Sequence, residues 1–513
     1  MKKLKIYLLL LLVGGVVASC DMDKMPYDSI PEDEAFTTPE DFSRFDATLY
    51  AYLRSTTYGD SYTAPELQCD GFNAVTGFTG NLNSMYSWSF TDEEGTVSTV
   101  YGNYQAIIAN CNFIIEGYNA CDTTNTIIFT EEGKREMKNV KGDAFFLRAY
   151  SLYNLAQYFC RDYDDELLDQ PNSGVSYRLD YNPSSDSHTY PARKTMRETY
   201  KQITNDLDSA TKYITREGEM GAIKVTKDAI LALTARVALT MGEYRLAIQA
   251  AEELINGGNY WIASSIADLE DMWHNDGTQE SILQLRTSNQ SELPLQTGVR
   301  YLPTEEGSAP DYVPTQALLD FFSDEDFRKD VYFMRDEITT THGTGMVYMF
   351  NKYEDRGALY DDYQREAARF TVEPKLFRIT EMYLIAAEAY YQLGETQKAK
   401  DMLDAVMINR IGDFDPSNTA PYYTDVMQGI KDERRREFLG EGMRLFDLKR
   451  WNDGVTRGTP QQMDVEGEFV DIAQSPGANT TQLVREAGND RFVWPIPRQE
   501  IDANPQVVQN PGY

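Results

Sequence analysis

Two stretches of this 513-residue chain read alike: ARVALTMGEYRLA at residues 235–247 and AEAYYQLGETQKA at residues 387–399. Both set Ala, Gly and Ala at the same intervals, with Gly242 and Gly394 as pivots. An apolar helical run precedes each glycine, and a second run with small residues follows it. Glycine takes the positive-φ turn that ends a helix, and small side chains let the next helix approach closely. That is the pattern of a tetratricopeptide-type helical hairpin, which buries its apolar face by stacking on a neighbour. Both units are degenerate. Amphipathic segments at 145–158 and 196–214 supply another hairpin, so the repeat-bearing segments fall at about 140–257 and 372–451.

Working outward, Thr38-Pro39-Glu40-Asp41 starts a helix: Thr38 as N-cap, Pro39 in the first turn, and Asp41 completing a capping-box-like pattern. Phe42, Phe45, Leu49 and Leu53 follow on one face. Helical period returns at 101–118 and 131–159. Residues 58–100 and 259–371 lose it, being rich in Gly, Asn and aromatics, and loops of that length are usually functional. Ser281-Ile282-Leu283-Gln284-Leu285 alternates as a strand does. The end, 452–513, is loop-rich and carries too much proline at 495–505 for a long helix. The expected fold is mainly α: a hairpin platform with an irregular, loop-rich lobe containing few short strands.

Composition narrows the function. There are 81 acidic residues against 48 basic, a formal net charge of −33. A surface this acidic repels phosphate backbones, which excludes nucleic acid as a partner. The sequence has no Gly-x-Ser-x-Gly elbow, no His-Glu-x-x-His and no phosphate-binding loop, so no enzymatic activity is expected. Asp162, Asp164, Asp165 and Glu166 form an acidic cluster, but without the spacing or glycine of a calcium loop it reads as solvated. No cofactor is expected, and structural calcium is unsupported.

The first residues give the location. Lys2, Lys3 and Lys5 precede an apolar run at 6–17 that is too short to span a bilayer, and Val17-Ala18-Ser19-Cys20 closes it. Residues 1–19 read as a signal peptide. The tetrad resembles a bacterial lipobox, with lipid on the thiol of Cys20. Its removal would take three lysines and no acid, so −33 becomes −36. Residues 20–35, dense in Asp, Glu and Pro, read as an acidic tether, leaving 36–513 as one body. Cys69, Cys111, Cys121 and Cys160 remain, with three disulfide pairings open to them.

Four blocks carry a family resemblance. They are DAFFLRAY at 143–150, KLFRITEMYLIAAEA at 375–389, ERRREF through EGMRLFDLKRW at 433–451, and the tail PIPRQEIDANPQVVQNPGY at 495–513. Together, in this order, they resemble the SusD/RagB-type outer-membrane nutrient-binding lipoproteins of Bacteroidota, with Asp143 where that family usually has Glu. The resemblance implies four degenerate tetratricopeptide hairpins and an irregular lobe. It implies a lipid-anchored place on the outer face of the outer membrane, with the anchor at Cys20. It also implies a partner, a TonB-dependent SusC-like transporter, to which captured oligosaccharide is delivered.

Physically, the charged residues in these blocks read as structural. Arg434, Arg435, Arg436, Arg444 and Arg450 lie among Glu433, Glu437, Glu441 and Asp447, which suits bidentate intramolecular pairing, and Arg378, Glu381 and Glu388 read the same way. The ligand belongs to the loops. An aromatic ring stacks on a sugar face while Asn, Asp and Arg bond its hydroxyls. On that inventory the candidate ligand residues are Asp70, Tyr86 and Trp88 in the first irregular region, Tyr101 and Asn103 directly after it, and Trp273, Arg300 and Tyr301 in the second. Trp88, flanked by Ser87 and Ser89, is the leading one. The function expected is surface glycan capture. The alternatives are peptide capture as in RagB-like members, a structural lid of the transporter with weak ligand binding, and a surface glycosidase.

Overall fold

The computed structural model describes residues 34–57, 59–287, 301–302, 308–353, 372–473 and 483–513. The expected signal peptide, the lipid-bearing Cys20, most of the tether, and Arg300 lie outside the described residues.

The chain starts with α1 (Pro39–Thr57), α2 (Asp60–Gln68), the single turn α3 (Asn83–Tyr86) and the long α4 (Gly95–Ala120). Four more helices follow: α5 (Glu131–Phe159), α6 (Met196–Tyr213), α7 (Lys227–Thr240) and α8 (Tyr244–Gly257). The expected N-terminus is present at α1, where Thr38 N–H donates to Asp41 Oδ2 at 2.8 Å and Asp41 N–H returns to Thr38 Oγ1. Phe42, Leu49 and Leu53 are buried along one stripe, and Phe45 is half-buried beside them. The 259–371 region contributes α9 (Ile266–His274), α10 (Gln316–Leu319) and α11 (Phe327–Tyr332). The helical layer resumes with α12 (Ile379–Gln392), α13 (Thr396–Met407), α14 (Val426–Glu437) and α15 (Arg444–Trp451), and α16 (Arg498–Ala503) lies in the tail.

Both quoted repeats are hairpins, α7–α8 and α12–α13. Gly242 and Gly394 sit at φ +71° and +76°. The closing hydrogen bonds match: Gly242 N–H to Leu239 O and Glu243 N–H to Ala238 O in one, Gly394 N–H to Tyr391 O and Glu395 N–H to Tyr390 O in the other. This paired pattern is the Schellman stop, which satisfies carbonyls left open at a helix end. The two hairpins are neighbours in space, because α8 packs on α12 although more than a hundred residues separate them. A third hairpin, α5–α6, lies N-terminal to them, α14 packs on α12 and α13, and α15 packs on α2. The excursion between the repeats is therefore an insertion into a continuous helical stack.

Strands are short and pair antiparallel in twos. β1 (Phe72–Ala74) pairs with β3 (Tyr312–Pro314), and β2 (Ser281–Gln284), the expected strand, pairs with β6 (Lys375–Arg378). β4 (Phe333–Thr340) and β5 (Gly343–Phe350) form a hairpin, as do β8 (Gln462–Val465) and β9 (Glu468–Asp471). β7 (Val455–Thr456) pairs with β10 (Val484–Arg485). The helices share one large apolar core. The irregular lobe has two smaller ones. One is dominated by aromatics, among them Phe72, Tyr86, Trp273, Tyr301 and Tyr312, and the other is aliphatic, under the β4–β5 hairpin.

Candidate functional site

A cleft of about 360 Å³ opens where the end of α1, the start of α2, the loop before α3 and the first turns of α4 meet. From α1 it takes Ser55 and Thr56, from α2 Asp60 and Ser61, and from the loop Asn81 and Leu82. Glu94, Thr96, Thr99 and Asn103 supply the α4 wall. Hydroxyls, amides and two carboxylates dominate, and no described lining residue is Lys or Arg. Such a surface donates to and accepts from hydroxyl groups and repels anions.

The cleft is held open by satisfied backbone. Thr79 N–H donates to Asp311 Oδ1 at 2.8 Å, Tyr312 O–H donates to Asn81 O at 2.6 Å, and Ser84 O–H donates to Glu94. Leu82 stands at φ +57° and Trp88 at φ +59°. Left-handed backbone costs a residue with a side chain about 1–2 kcal/mol, and it persists where surrounding contacts fix it. Here Trp88 is fixed by its Nε1–H, which donates to Gln68 O at 2.7 Å, and by Phe492, whose ring lies edge-on at 4.9 Å.

Of the seven sequence candidates among the described residues, only Asn103 lines this cleft. Trp88 is 2% exposed and cannot offer a face to a sugar. Tyr86 is buried under the Arg457 guanidinium, 3.7 Å from its ring centroid. Tyr101 packs edge-on against Phe159 at 5.1 Å, and burial pushes its phenol pKa up. Trp273 lies beneath Lys352, whose Nζ is 4.1 Å from the ring, and Tyr301 sits between Phe72 and Phe350 at 4.7 and 5.1 Å. Asp70 is paired with Arg444 at 2.9 Å and Arg435 at 3.4 Å. Burial alone would raise the Asp70 carboxyl, but the two guanidiniums more than offset it and hold it well below the usual carboxylate range. Tyr86, Trp273 and Tyr301 are taken by the aromatic core of the lobe, which lacks long helices and is built from large side chains, while Trp88 and Tyr101 belong to the core of the helical layer.

Sequence reasoning missed Ser55, Thr56, Asp60, Asn81 and Glu94. It also missed Tyr52, which is 42% exposed and lies one turn before Ser55 and Thr56 on the same helix face. An aromatic on the polar side of an amphipathic helix was the available signal. The expected ion pairing is present within the 433–451 block, where Arg434 holds Asp447 at 2.9 Å, and reaches beyond it: Arg450 holds Glu388 at 2.8 Å and Arg236 holds Glu381 at 2.6 Å. The four described cysteines are free thiols, and burial pushes the Cys69, Cys111 and Cys160 thiols up, which keeps them protonated. Among the described residues no group of three or more His, Cys, Asp or Glu is placed to hold a metal ion.

A model of the SusD family matches residues 334–513, and a second, described as starch-binding associating with outer membrane, matches residues 23–239. The two matches are on separate parts of the chain and together take in most of it. The chain belongs to the SusD family. A SusD-like protein of Formosa agariphila is 21% identical over the whole of this chain and 99% of its own length. Among solved structures, a SusD superfamily protein of Bacteroides thetaiotaomicron is 21% identical at TM-score 0.75, covering 93% of this chain and 100% of that one. A SusD-like carbohydrate binding protein of Bacteroides vulgatus is 18% identical at TM-score 0.74, covering 92% and 98%. These likenesses carry the SusD fold. Among the described residues no helix is long and apolar enough to cross a membrane.

Proposed function

We propose that this SusD-family chain captures uncharged oligosaccharide in the cleft between α1, α2 and α4 and passes it to a SusC-like TonB-dependent transporter. It would do so at the outer face of the outer membrane, held there by lipid on Cys20. The lining of the cleft carries this reading: hydroxyl, amide and carboxylate groups that bond sugar hydroxyls, with no cation among its described residues to recruit an acidic sugar. Tyr52, exposed on α1 one turn before Ser55 and Thr56, would supply the flat apolar face such ligands stack on. The role is binding without hydrolysis.

Isothermal calorimetry of the purified chain against neutral oligosaccharides tests the proposal. Glu94→Ala and Asn103→Ala together should weaken binding of the best glycan at least about tenfold, the loss of one or two good hydrogen bonds. Unchanged affinity in that variant rules out the cleft. The two carboxylates also favour one other reading, a peptide bearing Lys or Arg. Binding of basic peptides with no glycan in the panel bound would replace the saccharide by the peptide and leave the import role intact.

A further inference from the structure

A second groove, of about 520 Å³, runs between the 176–191 loop and α6. Its helical wall is Glu198, Lys201, Gln202 and Asn205, spaced so that they share one face of α6, and Lys194 stands just before the helix. The loop supplies the other wall with Tyr177, Arg178, Thr189 and Pro191.

This loop is built to keep its shape. From α4, Gln105 Nε2 donates to Ser176 O at 2.8 Å, and Asn112 Nδ2 donates to the carbonyls of Arg178 and Asp180 at 3.1 and 3.2 Å. Arg178 Nη1 closes the loop on Thr189 O at 2.8 Å, and Asn504 in the tail holds Pro191 O at 3.0 Å. A wall fixed in this way loses little freedom when a ligand arrives. Gln105 and Asn112 lie on the face of α4 opposite the one that gives Thr99 and Asn103 to the first cleft, so the two sites are separated by the thickness of that helix.

The charges in this groove are arranged differently from those of the cleft. Asp180 is taken up by the fork of Arg178, with Nε to Oδ1 at 3.0 Å. The Glu198 carboxylate caps α6, accepting from the Thr195 N–H at 2.8 Å and its hydroxyl at 3.0 Å. Among the described residues neither Lys194 nor Lys201 makes a close ion pair; Lys194 acts on Glu198 only from a distance, helping to lower its carboxyl pKa after the Thr195 hydrogen bonds, and its Nζ lies 6.0 Å from the Tyr177 ring centroid. Two such lysines beside amides and a tyrosine, on a chain of net charge −33, make a local anion-attracting site. We infer that this groove is a second saccharide site and that it takes an anionic oligosaccharide, carboxylated or sulfated, with Lys194 and Lys201 on the acid groups and Gln202 and Asn205 on ring hydroxyls.

Calorimetry with the full chain at low and high salt tests this. The probes are an oligogalacturonate, a sulfated galactan oligomer, and a neutral galactan oligomer of the same length. At least one anionic probe should bind more tightly than the neutral one, weaken with salt, and lose at least about tenfold in affinity in Lys194→Ala/Lys201→Ala. Which anionic probe binds distinguishes carboxylate from sulfate. Lys201 is exposed and Lys194 half-buried, and a far-ultraviolet spectrum unchanged from wild type certifies the variant as folded. Equal loss of neutral and anionic binding in the double lysine variant, or full retention of anionic binding there, overturns the inference. So does loss of anionic binding in Glu94→Ala/Asn103→Ala alone, which would put the acid sugar in the first cleft. Failure of the first cleft to bind neutral glycan leaves this outcome untouched.

Discussion

Trp88 shows what a single residue can and cannot disclose. Its neighbours Ser87 and Ser89 suit a sugar platform, yet the indole is enclosed, bonded to Gln68 O and packed edge-on against Phe492. Trp88→Ala should therefore cost stability, about 3–5 kcal/mol for a buried aromatic truncated to alanine. Urea denaturation reads that loss directly. Glycan affinity measured well below the unfolding transition should match the wild type, and a selective loss of affinity without a loss of stability would return Trp88 to the site. The candidate aromatics were legible as bulky and unusual, but a sugar platform and a protein core draw on the same side chains. Burial decides between them, and burial depends on contacts such as Tyr301 with Phe350 that are distant in sequence. Asn103 could be found because it is an amide directly after the aromatic-rich 58–100 stretch, between two tyrosines. Asp60 and Glu94 could not, because a carboxylate in a loop of a chain with 81 acids has no distinguishing mark.

At the scale of elements, legibility follows periodicity. The hairpins about Gly242 and Gly394, the helix at 131–159 and the capped start of α1 were all readable, since each carries a 3.6-residue stripe or a stop signal of local chemistry. α2 was not. It is buried on nearly every side and contains Pro65, so it has neither a stripe nor good helix propensity, and tertiary packing alone makes it helical. The start of α4 at Gly95 also came earlier than the visible period at 101. The turn glycines allow a clean test. A methyl group added at Gly394 meets nothing within 4 Å, so Gly394→Ala charges only the backbone for its φ of +76°. The expected cost is about 1–2 kcal/mol, visible as a lower urea midpoint at an unchanged slope. Gly394→Asn should recover part of it, because Asn tolerates the left-handed region better than Ala. A neutral Gly394→Ala would mean that the hairpin turn relaxes to another stop and that the matching glycines are not what sets it.

Across the whole molecule, the inserted lobe and the helical stack are joined by buried charge. Glu437, the last residue of α14, accepts from Arg328 of α11 at 3.0 Å, from Arg378 at the end of β6 at 2.7 Å, and from Arg410 at 2.9 and 3.0 Å. Arg378 and Arg410 also share Glu280, which precedes β2, at 2.8 and 2.7 Å. All of these side chains are essentially out of water. A buried pair of this kind adds little over an apolar replacement, but removing one member strands the others, at a cost of about 3–5 kcal/mol. Glu437→Gln keeps the shape and removes the charge that three guanidiniums share, so it should destabilise by roughly that amount at pH 7. The pH dependence has a definite sign. Burial alone would raise the Glu437 carboxyl, but Arg410, Arg378 and Arg328 override it and hold it well below the ordinary glutamate value of 4.5. As pH falls, the unfolded chain takes up this proton before the folded one does. The contribution of Glu437 is thus complete above the unfolded value and declines as pH drops toward the folded one. The gap in unfolding free energy between wild type and Glu437→Gln should be widest near neutrality and close progressively below about pH 4.5, the unfolded glutamate value. Urea titrations of both proteins at pH 7, 5 and 3.5 would measure it. A gap constant across that range would show that the lost stability comes from packing around the amide, and that the charge shared by the three arginines does not hold the lobe to the stack.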